Sequence, residues 1–305
     1  RFGTFFSSPL FTASGTDREL SAIESEDAKN RQEDNFRFNQ LRKSFAASGH
    51  PQGKFGTGNR ATLETEAKKQ GLDTRAELLS FFKRYYDAGL MALCVVGRES
   101  LTELIRLSES AFAGVKGNGS VQNPTLRWQG LNPFPPISTA GAWLEVVPVA
   151  DRRALTISWP IVFPDVSSRQ AWIRCKPFEA VSYLLGHQGE SSLISILRRR
   201  GWANEVLVAN VREDDNFAQL SANFDVTADG LRHRDEIVEA MYYVLRKLER
   251  EGVPAYTLDE SRGMAEVRWR FQPKQDSLST ALGLVANMQR GFGPEDYVSG
   301  QALVL

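Results

Sequence analysis

EVLVANVREDDNFAQLSANFDV, residues 205–226, carries two strand-like runs, Glu205–Val211 and Ala218–Val226. Two long amphipathic helical patterns follow, Asp229–Glu251 and Pro254–Arg270. Before the hairpin, Trp143–Val149 and Ala154–Ile161 read as strands. A helix is predicted over Phe178–Leu185, and another starts at Ser191 or Ser192 and runs through Leu197. The tail after Gly291 carries no assignment. Helices and hairpin-like strands thus alternate without the steady strand–helix order of a doubly wound sheet. The expected fold class is α+β: mostly antiparallel sheets, each covered on one face by helices.

The first part of the chain repeats this mixture. A helix is expected from Asp17, as N-cap, to Phe45. The segment Gly49–Asn59 is rich in turn residues. Thr74-x-x-Glu77 reads as a capping box opening a helix that ends at Gly89. Leu90–Val96 reads as a buried strand. Ser100-x-x-Glu103 is a second capping box, with its helix running to Phe112. Residues 114–141 hold five glycines, four prolines and no helical period, the signature of a linker. Two domains follow from this reading, 1–113 and 142–305, joined by 114–141.

Composition narrows the function. Of 305 residues, 42% are apolar and 24% charged, as in a soluble globular protein. Lys plus Arg and Asp plus Glu number 37 each, so no basic surplus points to nucleic acid or an anionic membrane. The run Arg198–Arg200 fits a helix C-terminus, where cations complement the dipole. No apolar stretch is long enough for a membrane helix, and no signal-peptide pattern is present. Cys94 and Cys175 lie in separate apolar stretches and are expected to be buried free thiols.

The segment Asp17–Asn30 carries the chemistry. On a helix, positions seven apart nearly eclipse, so Glu19 and Glu26 share a face, and Asn30 joins it one turn on. Two carboxylates and an amide on one stripe suit a metal site: one oxygen ligand, one supporting acceptor, one orienting group. The same spacing also suits a solvated helix face.

Residues Asp17-Arg18-Glu19, Ser25-Glu26 and Lys29-Asn30 resemble the second catalytic helix of insulysin/pitrilysin zinc metallopeptidases. The stretch His50-Pro51-x-x-Lys54-Phe55-Gly56-Thr57-Gly58-Asn59-x-x-Thr62-Leu63-Glu64-Thr65 resembles that family over a long and unusual composition. Tyr85-Tyr86, Leu90-Met91-Ala92 and Cys94–Leu101 add to it, as do Gly186-His187-x-Gly189, Ser192-Leu193 and Arg200-Gly201-Trp202. The resemblance implies two similar domains of the processing-peptidase type. It implies zinc, one per full-length enzyme, with Glu26 as the third ligand, Glu19 as its partner and Asn30 bracing the site. Thr57 and Asn59 would lie beside the substrate channel, although turn chemistry alone accounts for both. A peptide exosite would use Gly186, His187 and Gln188 with the strand Val206–Asn210 by β-augmentation. Gln188 stands where the family has an acidic residue, and Val208 and Ala209 stand where it has glycines.

This family takes two zinc ligands and a general base from an H-x-x-E-H helix. The chain has only His50, His187 and His233, none in that spacing. It begins with Arg, and the resemblance puts the motif upstream of Glu26. The chain is therefore expected to be a fragment, running from within the first domain through most of the second. Its expected partners are peptide substrates and the upstream and C-terminal parts of the same polypeptide. Alone it is expected to be catalytically incomplete. The alternatives are a zinc-less subunit of the same fold and a peptide-binding or interaction module. Relatives occupy several compartments; cytoplasmic and organellar locations both remain open.

Overall fold

The computed structural model describes residues 2–117, 123–134 and 143–302. These residues group in two compact units. The first draws on Arg1–Pro124, Phe134–Ala150 and Gln275–Gln289, the second on Thr125–Pro133, Asp151–Lys274 and Arg290–Leu305. Of the stretch read as a linker, 118–122 and 135–141 lie outside the described residues. Among the described residues, no helix is long and apolar enough to cross a membrane.

In the first unit, the single helix expected over 17–45 is two. Helix α1 spans Ala13–Asn30 and α2 spans Asp34–Ser44. Thr12, not Asp17, is the cap: its hydroxyl accepts the Gly15 N–H. The break falls at Glu33, whose backbone is extended (φ −106°, ψ 114°). There Asp34 turns its carboxylate to the Val149 and Ala150 N–H groups, at 2.7 and 3.0 Å. Helix α3, Thr74–Tyr85, is capped one residue before the expected box, by Asp73 on the Ala76 N–H. Thr74 instead donates to the Leu63 carbonyl. The helix stops at Tyr85, short of Gly89. Helix α4, Leu101–Phe112, starts at Ser100 as read.

Two expected strands of this unit do not form. Residues 91–97 and 143–148 form neither helix nor strand and lie in no ladder among the described residues. Leu93, Val95, Trp143 and Leu144 are exposed rather than buried. β-propensity describes fit to a sheet surface, and a strand needs a neighbour to take its N–H and C=O groups. Cys94 is accordingly only half-buried; Cys175 is exposed, and both thiols are free.

The second unit holds the sheet and the main core. Strand β1 is Ala154–Val162, followed by α5, Val166–Cys175, which the sequence reading missed. Helices α6 (Pro177–Gly186) and α7 (Leu193–Arg199) precede β2 (Ala203–Glu213) and β3 (Phe217–Val226). After a short turn of helix, Ala228–Arg232, come α8 (Arg234–Glu251) and α9 (Ala255–Arg270). A further helix, Ser277–Arg290, belongs to the first unit except for its last residue and also went unread.

Among the described residues the three strands are antiparallel, in the order β1-β3-β2. Pro160 sits in β1, at an edge, where its missing N–H costs no ladder bond. Alternation sets the two faces. Leu155, Val206, Val208, Ala222, Phe224 and Val226 face a core completed by Leu185 of α6, Leu193, Ile194 and Leu197 of α7, and Ile237 and Met241 of α8. Each large member contributes roughly 1.5–3 kcal/mol by leaving water. The opposite face carries polar cross-strand pairs, Thr156–Asn223 at 2.9 Å and Ser158–Ser221 at 2.7 Å. The architecture is α+β with helices on one face of an antiparallel sheet, as expected.

Candidate metal and peptide sites

Helix α1 has two distinct faces, one of them bonded to the 57–65 segment. At about 100° per residue, Asp17, Ser21, Glu24 and Arg31 fall along one side of α1, with Asp27 at its margin. Glu19 and Glu26 fall on the other side. The first set is bonded throughout. Arg60 Nη2 donates to Asp17 Oδ1 and Ser21 Oγ, both at 2.8 Å, and Nη1 to Glu64 Oε2 at 2.6 Å. The Arg60 N–H donates to Glu24 Oε2 at 2.8 Å. Asp27, 4% exposed, accepts from Asn59 Nδ2 at 3.1 Å and from Arg31 Nε at 2.9 Å. Burial pushes its carboxyl up, but the Asn59 and Arg31 bonds and the Arg31 charge outweigh that and hold it below the ordinary carboxylate range.

The 57–65 segment is shaped for this contact. Gly58 has φ +78°, and a Cβ there would lie 2.7 Å from Leu63 Cδ1. Asn59 Oδ1 accepts the Thr62 N–H at 2.9 Å, opening a π-helical turn over Ala61–Thr65. Such turns are rare and recur at functional sites. Asn30 Nδ2 donates to Thr57 Oγ1 at 3.2 Å, which brings Asn30, Thr57 and Asn59 to one place. They border a cleft of about 660 Å³ between the end of α1, α2 and the 55–59 loop, with Phe36, Arg37 and Lys43 on its walls.

Glu19 and Glu26 are both exposed and, among the described residues, engage no partner through their side chains. An unengaged carboxylate fits one position of a zinc coordination sphere. The rest of a sphere is not gathered here: among the described residues no group of three or more His, Cys, Asp or Glu could hold a metal. The histidines serve local structure. His50 is buried, and its Nδ1 accepts the Gln52 N–H; His187 Nδ1 accepts the Gly189 N–H; His233 Nδ1 lies 2.9 Å from the Asp229 carbonyl.

The second candidate site is in the other unit. Gly186 ends α6, and His187 leaves it in extended conformation. Arg198 joins the loop to the sheet: Nη1 donates to Gln188 Oε1 at 3.3 Å and Nε to the Asn204 carbonyl at 2.7 Å. Gly186, His187 and Gln188 are thus tied to the start of β2, an edge strand. Val206 and Val208 point into the core, both 7% exposed, while Leu207 points out at 61%. Any peptide on this edge would meet the Val206 and Val208 backbone, not their side chains.

Sequence reasoning missed Asp27, Arg60, Glu24 and Arg198. No spacing signal could have found the clamp, because its partners lie 32 to 43 residues apart. Arg198 was read only as a helix-end charge.

Comparison with known proteins gives the family. Residues 74–264 match the family model described as the peptidase M16 inactive domain. The chain is 37% identical over 275 residues to human insulin-degrading enzyme, covering 90% of this chain and 26% of that protein. It is 32% identical over 308 residues to the A-factor-processing enzyme of Saccharomyces cerevisiae, covering 100% of this chain and 29% of that one. In fold it resembles pitrilysin, with a TM-score of 0.83 at 22% identity over all of this chain and 31% of that structure. The chain therefore spans between a quarter and a third of these relatives. With the family model covering well over half of its residues, the chain belongs to the insulinase-like peptidase M16 family.

Proposed function

We propose that the chain is part of a zinc metalloendopeptidase, supplying Glu26 as one metal ligand and a second domain that holds peptide. The carrying observation is that α1 is bonded along one side and presents Glu19 and Glu26, unengaged, on the other. Zinc, when bound, would activate a water and polarise the scissile carbonyl. Glu26 would bind the metal, Glu19 would orient the ligands, and Asn30 would brace Thr57 beside the channel. Residues 1–113 would belong to the catalytic domain, 114–141 to a linker and 142–305 to the second domain. The uncovered apolar residues of 91–97 and 143–149 suit a surface completed by further polypeptide. The edge strand β2 beside Gly186–Gln188 suits the backbone of a peptide substrate.

The test is zinc stoichiometry. The chain alone should hold less than about a tenth of an equivalent after dialysis, since catalytic sites need three protein ligands. A polypeptide joining it to an H-x-x-E-H segment should bind about one equivalent and cleave peptides, and Glu26→Gln should lose both. Full zinc binding in Glu26→Gln would sink the proposal. A second reading, a non-catalytic peptide-holding module, draws support from the inactive-domain match over 74–264; it expects peptide binding at β2 without cleavage.

A further inference from the structure

Helix α1 has little apolar anchoring. Of its eighteen residues only Leu20 and Asp27 are buried. Hydrophobic burial holds a helix against its neighbours but is non-directional. The rotation of this one is therefore left to polar bonds. Those bonds span the helix, from Asp17 through Ser21 and Glu24 to Asp27, and converge on two consecutive residues, Asn59 and Arg60. Several are charge-assisted, the stronger and more directional kind.

We infer that Arg60 and Asp27 are positioning residues: by gripping the side of α1 away from Glu19 and Glu26, they fix the direction in which Glu26 leaves the helix. The inference rests on the reading of Glu26 as a metal ligand. A carboxylate of an extended Glu stands roughly 7 Å from the helix axis, given a Cα radius of about 2.3 Å. A rotation of about 20° would move it by some 2 Å, ten times the tolerance of about 0.2 Å on a metal–ligand bond. The chain's own fold thus presets the one ligand it carries before any other ligand arrives. The cost is a buried carboxylate at Asp27, which Arg31 and Asn59 offset.

The test uses the polypeptide that joins this chain to an H-x-x-E-H segment, loaded with Zn²⁺ or Co²⁺. Arg60→Met and Asp27→Asn should each weaken metal affinity about tenfold or more, the usual effect of losing outer-shell support. Both should alter the visible Co²⁺ spectrum while amide exchange still reports a formed α1. Arg60→Lys, which keeps the charge but not the fork, should recover only part of the affinity lost in Arg60→Met. If Arg60→Met melts α1, Ser21→Ala removes a single link without stranding a charge and should still cost about two- to threefold, a fraction of the full effect. Wild-type affinity and spectrum in all three weakening variants, with binding abolished by Glu26→Gln, would overturn this inference alone. Wild-type affinity in Glu26→Gln would overturn it together with the reading on which it rests.

Discussion

Gly230 and Gly263 make a pair of glycine-to-alanine substitutions with opposite expected signs in one unit. Gly230 lies in the turn of helix that follows β3, and its Cα presses on the backbone of Trp202. A Cβ there would stand 1.8 Å from the Trp202 carbonyl oxygen and 2.8 Å from its carbon. Neither is a flexible side-chain end, so the backbone must move by more than an ångström. That shift breaks the Thr227 N–H bond to the same oxygen, now 3.0 Å, and disturbs the Thr227 cap on the Gly230 N–H at 2.9 Å. Overpacking of this kind costs about 1–3 kcal/mol, and a lost hydrogen bond about 1 kcal/mol more. Gly230→Ala should therefore destabilise the second unit by about 3 kcal/mol, lowering its melting temperature by roughly 6–12 °C. Gly263, in the middle of α9, has nothing within 4 Å of its added Cβ. Its replacement by Ala should stabilise by about 0.5–1 kcal/mol through helix propensity. Scanning calorimetry of both variants, with the two units' transitions separated, tests the pair. A Gly230→Ala protein within 1 kcal/mol of wild type, or a Gly263→Ala protein less stable than wild type, would refute the reasoning.

Two predictions concern pH. Lys176 is 5% exposed; burial pushes its ammonium pKa down, and Glu179 at 3.7 Å only partly restores it. A lysine with a lowered folded pKa weakens the fold while charged, and the unfolded chain binds more protons between that pKa and the ordinary 10.5. Stability should rise with pH across that window, and Lys176→Met should be more stable near neutrality and lose the alkaline rise, as read from urea midpoints at several pH values. Asp34 is held low first by the Val149 and Ala150 N–H bonds and then by Arg37, so its contribution is present above the ordinary 3.8 and lost as pH falls through the lowered value. The protection of the Val149 and Ala150 amides, taken as exchange relative to the intrinsic rate at the same pH, should fall in acid, and Asp34→Ala should show that low protection at neutral pH; unchanged protection would count against the bond.

What the sequence disclosed was local. Ser100 capped as read because the cap and the Glu103 N–H that donates to it lie three residues apart. The β2–β3 pair was legible because alternation marks each strand, and its partner is next in the chain. The break between α1 and α2 was not, since residues 31–33 contain no Gly or Pro and the cause is a bond to residues more than a hundred positions away. Leu90–Val96 and Trp143–Val149 have strand composition without a ladder, because composition cannot supply a neighbour. Helix α5 was missed because its serine-rich start and weak apolar stripe give little period to read.

The same distinction divides helix α1 into what spacing can and cannot disclose. Glu19 and Glu26 are visible as a stripe because they share one helix and a sevenfold interval. That interval alone fits any solvated surface. What separates a surface glutamate from one held for a purpose is whether the opposite side of the helix is fixed, and this depends on Asn59 and Arg60, which local pattern never connects to residues 17–27. A metal ligand needs both a donor and a direction. On the proposed reading the donor, Glu26, is written in the local sequence, and its direction would come from a buried aspartate and an arginine fork that appear only once the chain is folded. If so, replacing Glu19 or Glu26 should change what the helix can bind, and replacing Asp27 or Arg60 should change how well it binds it, with the identity of the donors untouched.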